Sequence, residues 1–172
     1  MKFSGMIIGV PKEIMPGEGR VSSTPETVKK MVAEGATVLV QKTAGDGSFF
    51  SDAEYVAAGA TMVDGAEEVF AKADVILKVK EPLFNKEVNK HESDMLRDGQ
   101  YLITFLHPAA PVNREPMKKL RDTGCISLTL DGIPRISRAQ SMDALTSMST
   151  VAGYKSVLMA ANYMSKFMPM VG

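Results

Sequence analysis

The sequence predicts an α/β domain whose mainly parallel sheet is covered by helices on both faces, followed by one long helix. Three observations carry this. Short apolar runs alternate with segments of helical period, the spacing between runs leaves room for crossover helices, and beyond about Ala139 the strand-like runs give way to one long helical pattern. The candidate strands are Met6–Val10, Thr37–Val40, Val75–Val79, Tyr101–Leu106 and Ile126–Leu130.

The helices between them follow from caps and stripes. Thr24 before Pro25 supplies an N-cap and a proline at the first helical position, and Val28, Met31 and Val32 make one apolar stripe before Gly35 ends the helix. Ser51 or Asp52 caps a second helix over Ala53–Ala58, a third spans Ala66–Ala73, and a fourth runs from Asn113 to Arg121, closed by Gly124. From Ala139 the apolar residues Leu145, Met148, Val151, Ala152, Tyr154, Val157, Leu158, Ala161, Met164 and Met168 keep a helical period up to Pro169. This predicts a helix of up to about thirty residues, roughly 45 Å long. Few compact domains of this size contain such a helix, so it is expected to join the domain to something else.

At 172 residues the chain fits one domain with an appended element, with expected boundaries at 1–134 for the domain and 135–172 for a loop and connecting helix. Forty-five per cent hydrophobic residues are enough for a packed core, and twenty basic against twenty acidic side chains leave no surplus charge for nucleic acid. The single cysteine, Cys125, has no second thiol to pair with, which points to a reducing compartment, and it is read as a core residue. The apolar stretch near the N-terminus is too short for a signal sequence, and no run of about eighteen apolar residues occurs. A cytoplasmic protein is expected. Six of the thirteen methionines fall in the last thirty-one residues.

Candidate chemistry gathers where strands end, because ligands of parallel sheets bind at the carboxyl ends of the strands. Arg20 lies in the glycine-rich loop between the first strand and first helix, where it could hold a carboxylate or phosphate, or simply pair with Glu13 or Glu18. Lys80 follows the third strand; alternation points Lys78 the same way, and one of the two could be a solvated strand-end lysine. His107 ends the fourth apolar run, while His91 reads as a solvated member of a charge run. If the strands are neighbours, Arg20, Lys80 and His107 converge: two cations to bind a small carboxylate and an imidazole to exchange a proton with a carbonyl. A second cluster opens the long helix, with Arg135 in the preceding loop and Gln140 and Asp143 three residues apart on one helix face; as a plain cap it would need only Ser137 or Ser141.

The stretches GVPKEIMPGEGRVSSTP, ILKVKEP, ITFLHPAAP and PRISRAQSMDALTSMSTVAGYKSVLMAAN together resemble the N-terminal domain of the alanine dehydrogenase and pyridine nucleotide transhydrogenase family over essentially the whole chain. The last stretch looks like the NAD(P) transhydrogenase alpha subunit rather than alanine dehydrogenase. The resemblance implies a three-layer flavodoxin-like or Rossmann-like fold. It also implies that Arg135, Gln140 and Asp143 lie near the nicotinamide of NAD(H), in an enzyme passing hydride between NADH and NADP coupled to proton translocation. Arg20, Lys80 and His107 match the residues with which alanine dehydrogenases hold and protonate pyruvate. Transhydrogenases commonly lack that Lys and His, so their presence here keeps an oxo acid reading open.

In the family a second domain binds the dinucleotide through a Gly-rich turn. No G-x-G-x-x-G occurs here, since Gly17-Glu18-Gly19 and Gly45-Asp46-Gly47 lack the third glycine. By resemblance, then, most of the cofactor site belongs to that second domain, and this chain alone is expected not to catalyse hydride transfer. The resemblance further implies a transhydrogenase membrane subunit as partner, with the protein peripheral to the inner membrane. It also implies a C-terminal segment that returns to cover apolar surface on the first domain. The Met-rich face of the long helix is the expected exposed patch, and with it a homodimer. Three readings therefore stand: a transhydrogenase alpha-subunit domain, an alanine dehydrogenase-like domain binding pyruvate, and a non-catalytic binding subunit.

Overall fold

The computed structural model describes residues 2–166. The chain forms two compact units, one up to Thr129 and one from Leu130. The first contains β1 (Ile7–Val10), α1 (Pro25–Ala33), β2 (Thr37–Gln41), α2 (Asp52–Ala57), β3 (Thr61–Val63), α3 (Ala66–Lys72), β4 (Val75–Leu77), a small hairpin of β5 (Phe84–Asn85) and β6 (Lys90–His91), β7 (Tyr101–Thr104), α4 (Arg114–Asp122) and β8 (Ile126–Thr129). Six of the strands form one sheet in the order β3-β2-β1-β4-β7-β8, with every neighbouring pair parallel. The α/β class with a mainly parallel sheet is therefore as the sequence predicts.

Alternation along the strands divides the core in two. Ile76, Leu102 and Leu39 face α3 and α4, where they pack with Val69, Phe70 and Leu120. Ile8, Val10, Val38, Val40 and Val75 face α1 and α2, with Val28 and Tyr55 among them. The α3 side of β1 is so close that a Cβ on Gly9 would stand 2.7 Å from Val69 Cγ1 and 2.8 Å from Ala73 Cβ. Both helices of the opposite face carry the expected N-terminal caps: the Thr24 side chain accepts from Thr27 N above Pro25, and Ser51 forms a capping box with Glu54.

Two predicted strands stop short: one more backbone bond follows each, Lys78 N to Ile103 O and Phe105 N to Val79 O, and side chains take the donors beyond. β4 ends at Leu77, and the Glu13 carboxylate accepts from the next free amides, Val79 N at 2.6 Å and Lys80 N at 3.4 Å. β7 ends at Thr104, with Leu106 N donating to Thr129 Oγ1. β3 and the β5–β6 hairpin, at three and two residues per strand, are too short to show periodicity in the sequence and were not predicted from it. The helices over β1 to β3 leave the other half of that face bare: Tyr101, Ile126 and Leu128 are 42–50% exposed. An entirely apolar groove of about 310 Å³ there is lined by Phe3, Met6, Ile8, Met31, Val75, Leu77, Tyr101 and Ile103.

In the second unit a 3₁₀ stretch over Ser137–Met142 leads into α5 (Ala144–Tyr163). The expected thirty-residue helix from Ala139 is thus corrected to twenty residues, roughly 30 Å. Its start is set by Asp143, which leaves the helical conformation at φ −81°, ψ 84° and accepts from Thr146 N. Gln140 and Asp143 accordingly do not share an α-helical face, and the cap is neither Ser137 nor Ser141. Met168, Pro169 and Met170 lie outside the described residues. Consecutive Val157, Leu158 and Met159 are all more than half exposed, so apolar side chains point to different sides of α5 rather than forming one stripe. Among the described residues no helix is long and apolar enough to cross a membrane.

Candidate functional site

Strand order decides which loops meet. From β1 the chain builds outward through β2 to β3, then returns to place β4 on the other side of β1, so the topological switch point lies between β1 and β4. In open parallel sheets this is where ligands bind. The loop after β1 carries Arg20, the segment after β4 carries Lys80, and the segment after the next strand, β7, carries His107. The topology brings all three sequence-predicted residues to the carboxyl edge of three adjacent strands.

The Arg20 loop is tied down from two sides. Ser22 Oγ donates to Leu77 O at the end of β4, and Ser48 Oγ donates to Gly19 O. Backbones meet at Gly19 and Gly47: a Cβ on Gly47 would stand 2.7 Å from Gly19 O and 2.8 Å from Gly19 Cα. The two G-x-G elements of the sequence therefore serve backbone packing between loops. Arg20 pairs with Glu18, one of the two partners the sequence offered, through Nε at 2.8 Å and Nη2 at 2.6 Å, and Glu18 also accepts from Arg20 N. The guanidinium holds the Glu18 carboxyl below the usual carboxylate range, and the positive charge of Lys80 contributes. Lys80 is half-buried, its amide held by Glu13 and its carbonyl by Thr104 Oγ1.

His107 sits in the left-handed region at φ 46°, uncommon for a residue with a side chain. Ala110 N and Asn113 Nδ2 donate to its carbonyl, and its ring lies over Phe105 with centroids 6.0 Å apart. Asn113 also donates to Leu106 O, so α4 begins without a side-chain cap because that side chain holds the His107 turn.

Sequence reasoning missed the group behind these residues. Lys78 is not a solvated strand-end lysine: its side chain is 0% exposed, with Nζ 3.3 Å from Glu13 Oε2 and 3.1 Å from Glu92 Oε1. Glu92 is also wholly buried and accepts from Leu83 N. Burial pushes its carboxyl above the usual range, and Lys78 offsets part of that. Glu92 stands in the charge run Lys90-His91-Glu92, where nothing in the pattern sets one residue apart. His91 in the same run is half-buried rather than solvated, its Nδ1 accepting from Ser93 N and its imidazole shifted down by burial. Cys125 is half-buried at the edge of the core, with Sγ 3.5 Å from Leu120 O and 3.3 Å from Ser127 Oγ.

The second predicted cluster also forms a place. Arg135, Gln140 and Asp143 line one open cleft of about 210 Å³ together with Ile136, Ser137 and Thr146. Asp143 accepts from Thr146 N at 3.0 Å and from Thr146 Oγ1. These bonds hold its carboxyl below the usual range, with a contribution from Arg135. Gln140 is exposed and offers both an amide donor and an acceptor. A larger cavity of about 360 Å³, lined by Pro108, Pro111, Arg114, Met117, Lys118 and Arg121 among others, contains none of the predicted site residues.

Residues 9–152 match the family described as alanine dehydrogenase/PNT, N-terminal domain. The chain belongs to this family. It is 39% identical over 162 residues to the NAD(P) transhydrogenase subunit alpha of Cereibacter sphaeroides, covering 94% of this chain and 29% of that protein. It is 42% identical over 163 residues to the alanine dehydrogenase of Methanococcus maripaludis, covering 94% of this chain and 40% of the relative. The crystal structure of transhydrogenase from Sinorhizobium meliloti superposes with a TM-score of 0.82 at 36% identity, over 96% of this chain and 47% of that one. The chain thus spans less than half the length of each of these alanine dehydrogenase/PNT relatives, and it is an oxidoreductase-family domain.

The cofactor these names imply can be tested against the residues present. Gln140 and Arg135 supply amide and guanidinium donors, and Gln140 and Asp143 supply acceptors, a set that suits a carboxamide and ring of nicotinamide size in an open cleft. For a pyrophosphate the sequence offers no Gly-rich turn opening a helix, and its two G-x-G elements are packed against each other. The fit extends to the nicotinamide end alone.

Proposed function

We propose that this chain is the N-terminal domain of an NAD(P) transhydrogenase alpha subunit, contributing to hydride transfer between NADH and NADP coupled to proton translocation through a membrane partner. The observation that carries the reading is the single cleft joining Arg135, Gln140 and Asp143. NAD(H), bound mostly by a second domain, supplies the hydride. Gln140 and Arg135 hold the carboxamide end and fix which face of the ring is presented, while Asp143 keeps Arg135 and the start of α5 in place. Such positioning is worth much of a hydride-transfer rate, because misplacement by an ångström costs on the order of 100-fold. On this reading the chain alone does not turn over, and its exposed α5 joins two copies as a homodimer. Replacing Gln140 by Ala in the complete protein lowers hydride transfer by roughly that factor with the fold intact; unchanged turnover would sink the assignment.

A second reading is favoured by the switch-point residues. Arg20 and Lys80 take the carboxylate of a small 2-oxo acid such as pyruvate, and His107 exchanges a proton at its carbonyl oxygen, as an alanine dehydrogenase-like domain requires. Oxidation of alanine by the complete protein, lost on His107→Ala, would favour this reading over the first.

A further inference from the structure

Side chains hold the backbone of Lys80 at both of its polar groups. β4 ends at Leu77, and beyond it the Glu13 carboxylate accepts from Val79 N at 2.6 Å and from Lys80 N at 3.4 Å. On the other side Thr104 Oγ1 donates to Lys80 O at 2.9 Å. The loop after β1 thus fixes the amide of Lys80, and β7 fixes its carbonyl.

Glu13 is itself held. The Lys78 ammonium lies 3.3 Å from its Oε2, and the two side chains are 3% and 0% exposed. Just before it, Pro11 restricts the backbone and Lys12 N donates to Oε1 of the buried Gln41. Three donors therefore meet one carboxylate away from water, where charge-assisted bonds are stronger than neutral ones. Glu92, the other partner of Lys78, directs its bonds to that ammonium and to Leu83 N, and none to Lys80.

A lysine carries its charge on a flexible four-carbon stem, so the reach of its ammonium is set first by the position of its Cα. If the backbone at Lys80 were loose, a ligand needing that ammonium would have to order it on binding and would lose affinity accordingly. A backbone ordered beforehand removes that cost. The Lys80 charge adds to the pairing with Arg20 in lowering the Glu18 carboxyl, so the two cations stand at one place.

We infer that Glu13 is a positioning residue of the switch-point site: held by Lys78, its carboxylate fixes the backbone from which Lys80 reaches a ligand carboxylate. This rests on the second reading above, in which Arg20 and Lys80 hold a small 2-oxo acid, and adds to it a residue that acts through Lys80 rather than on the ligand.

The test is an NMR titration of this chain with pyruvate, which reads affinity in the folded protein whatever its stability. Glu13→Gln keeps the size but turns an NH2 group toward donors that need an acceptor. Glu13→Asp is a second variant should the first fail to fold: it keeps the charge beside Lys78 and falls one methylene short of the amides. Glu92→Gln is the comparison, since it takes from Lys78 its other carboxylate and leaves the bonds from Val79 N and Lys80 N in place. Wild type and Glu92→Gln bind pyruvate alike, and the Glu13 variants bind it about tenfold or more weakly, the order of one hydrogen bond to a charged group. A folded Glu13 variant with wild-type affinity overturns the role of Glu13 and leaves the oxo acid site standing. So does a loss in Glu92→Gln as large as that in the Glu13 variants, because the buried ion pairs and not the hold on Lys80 would then govern binding. Pyruvate binding by none of the four proteins removes the oxo acid reading itself, and this inference with it.

Discussion

Replacing Lys78 by Met should destabilise the first unit by about 3 kcal/mol at neutral pH. The ammonium is wholly buried and is shared by two carboxylates that are themselves 0–3% exposed. Removing one partner of a buried ion pair costs roughly 3–5 kcal/mol, because the other charge is left uncompensated in a medium that solvates it poorly. Here the carboxylates keep some support, Glu13 from Val79 N and Lys80 N and Glu92 from Leu83 N, which places the loss near the lower end. Against the total of about 5–15 kcal/mol for a folded domain, that is a large fraction, and it corresponds to a fall in Tm of roughly 6–12 °C. Urea unfolding followed by far-UV circular dichroism measures it directly. The triple variant with Glu13→Gln and Glu92→Gln as well should recover most of the loss, since a buried pair is worth little more than its neutral replacement. A loss under about 1 kcal/mol for Lys78→Met alone would refute the claim that the triad is closed to water.

The same group makes stability depend on pH. Glu92 has a folded-state pKa above its unfolded value, so its contribution is fully present below the ordinary carboxylate pKa and is lost as pH rises through the raised value. Wild type should therefore lose stability relative to Glu92→Gln on going from acid toward neutral pH, and a constant difference in urea midpoint would contradict the assigned direction. Gly47→Ala should cost about 1–3 kcal/mol by urea unfolding, because the new methyl meets the Gly19 backbone and not a side chain that could turn away. Asp143→Ala should shorten α5 in its first turn, whereas Asp143→Ser restores a capping oxygen without the charge. Helix content that recovers in the Ser variant of the complete protein, while hydride transfer does not, would separate the cap from the positioning of Arg135 proposed for this carboxylate.

The legible part of the site was the part written into local order. Arg20, Lys80 and His107 each follow an apolar run, and their meeting required only that β1, β4 and β7 be neighbours, as they are. The partners that tune them were hidden. Glu13, Glu18 and Glu92 are acidic residues among many, and the lysine that Glu13 and Glu92 share, Lys78, stands 65 and 14 positions from them, separations that periodicity cannot see. The choice between Lys78 and Lys80 stayed open for the same reason: strand alternation points both the same way, and the carboxylates that meet Lys78 in the interior come from distant segments.

Alternating apolar runs, helix caps and terminating glycines were enough by themselves to determine the α/β class, the five principal strands and the start of α1 and α2, because each depends on residues within a few positions of one another. Only the tertiary structure decided where α5 begins, where β4 stops, which of two carboxylates Arg20 pairs with, and that the two G-x-G turns lock loops together. Each of these is a competition for a hydrogen bond, a charge or a few ångströms of space between segments distant in sequence. Such competitions are settled only when the chain has folded.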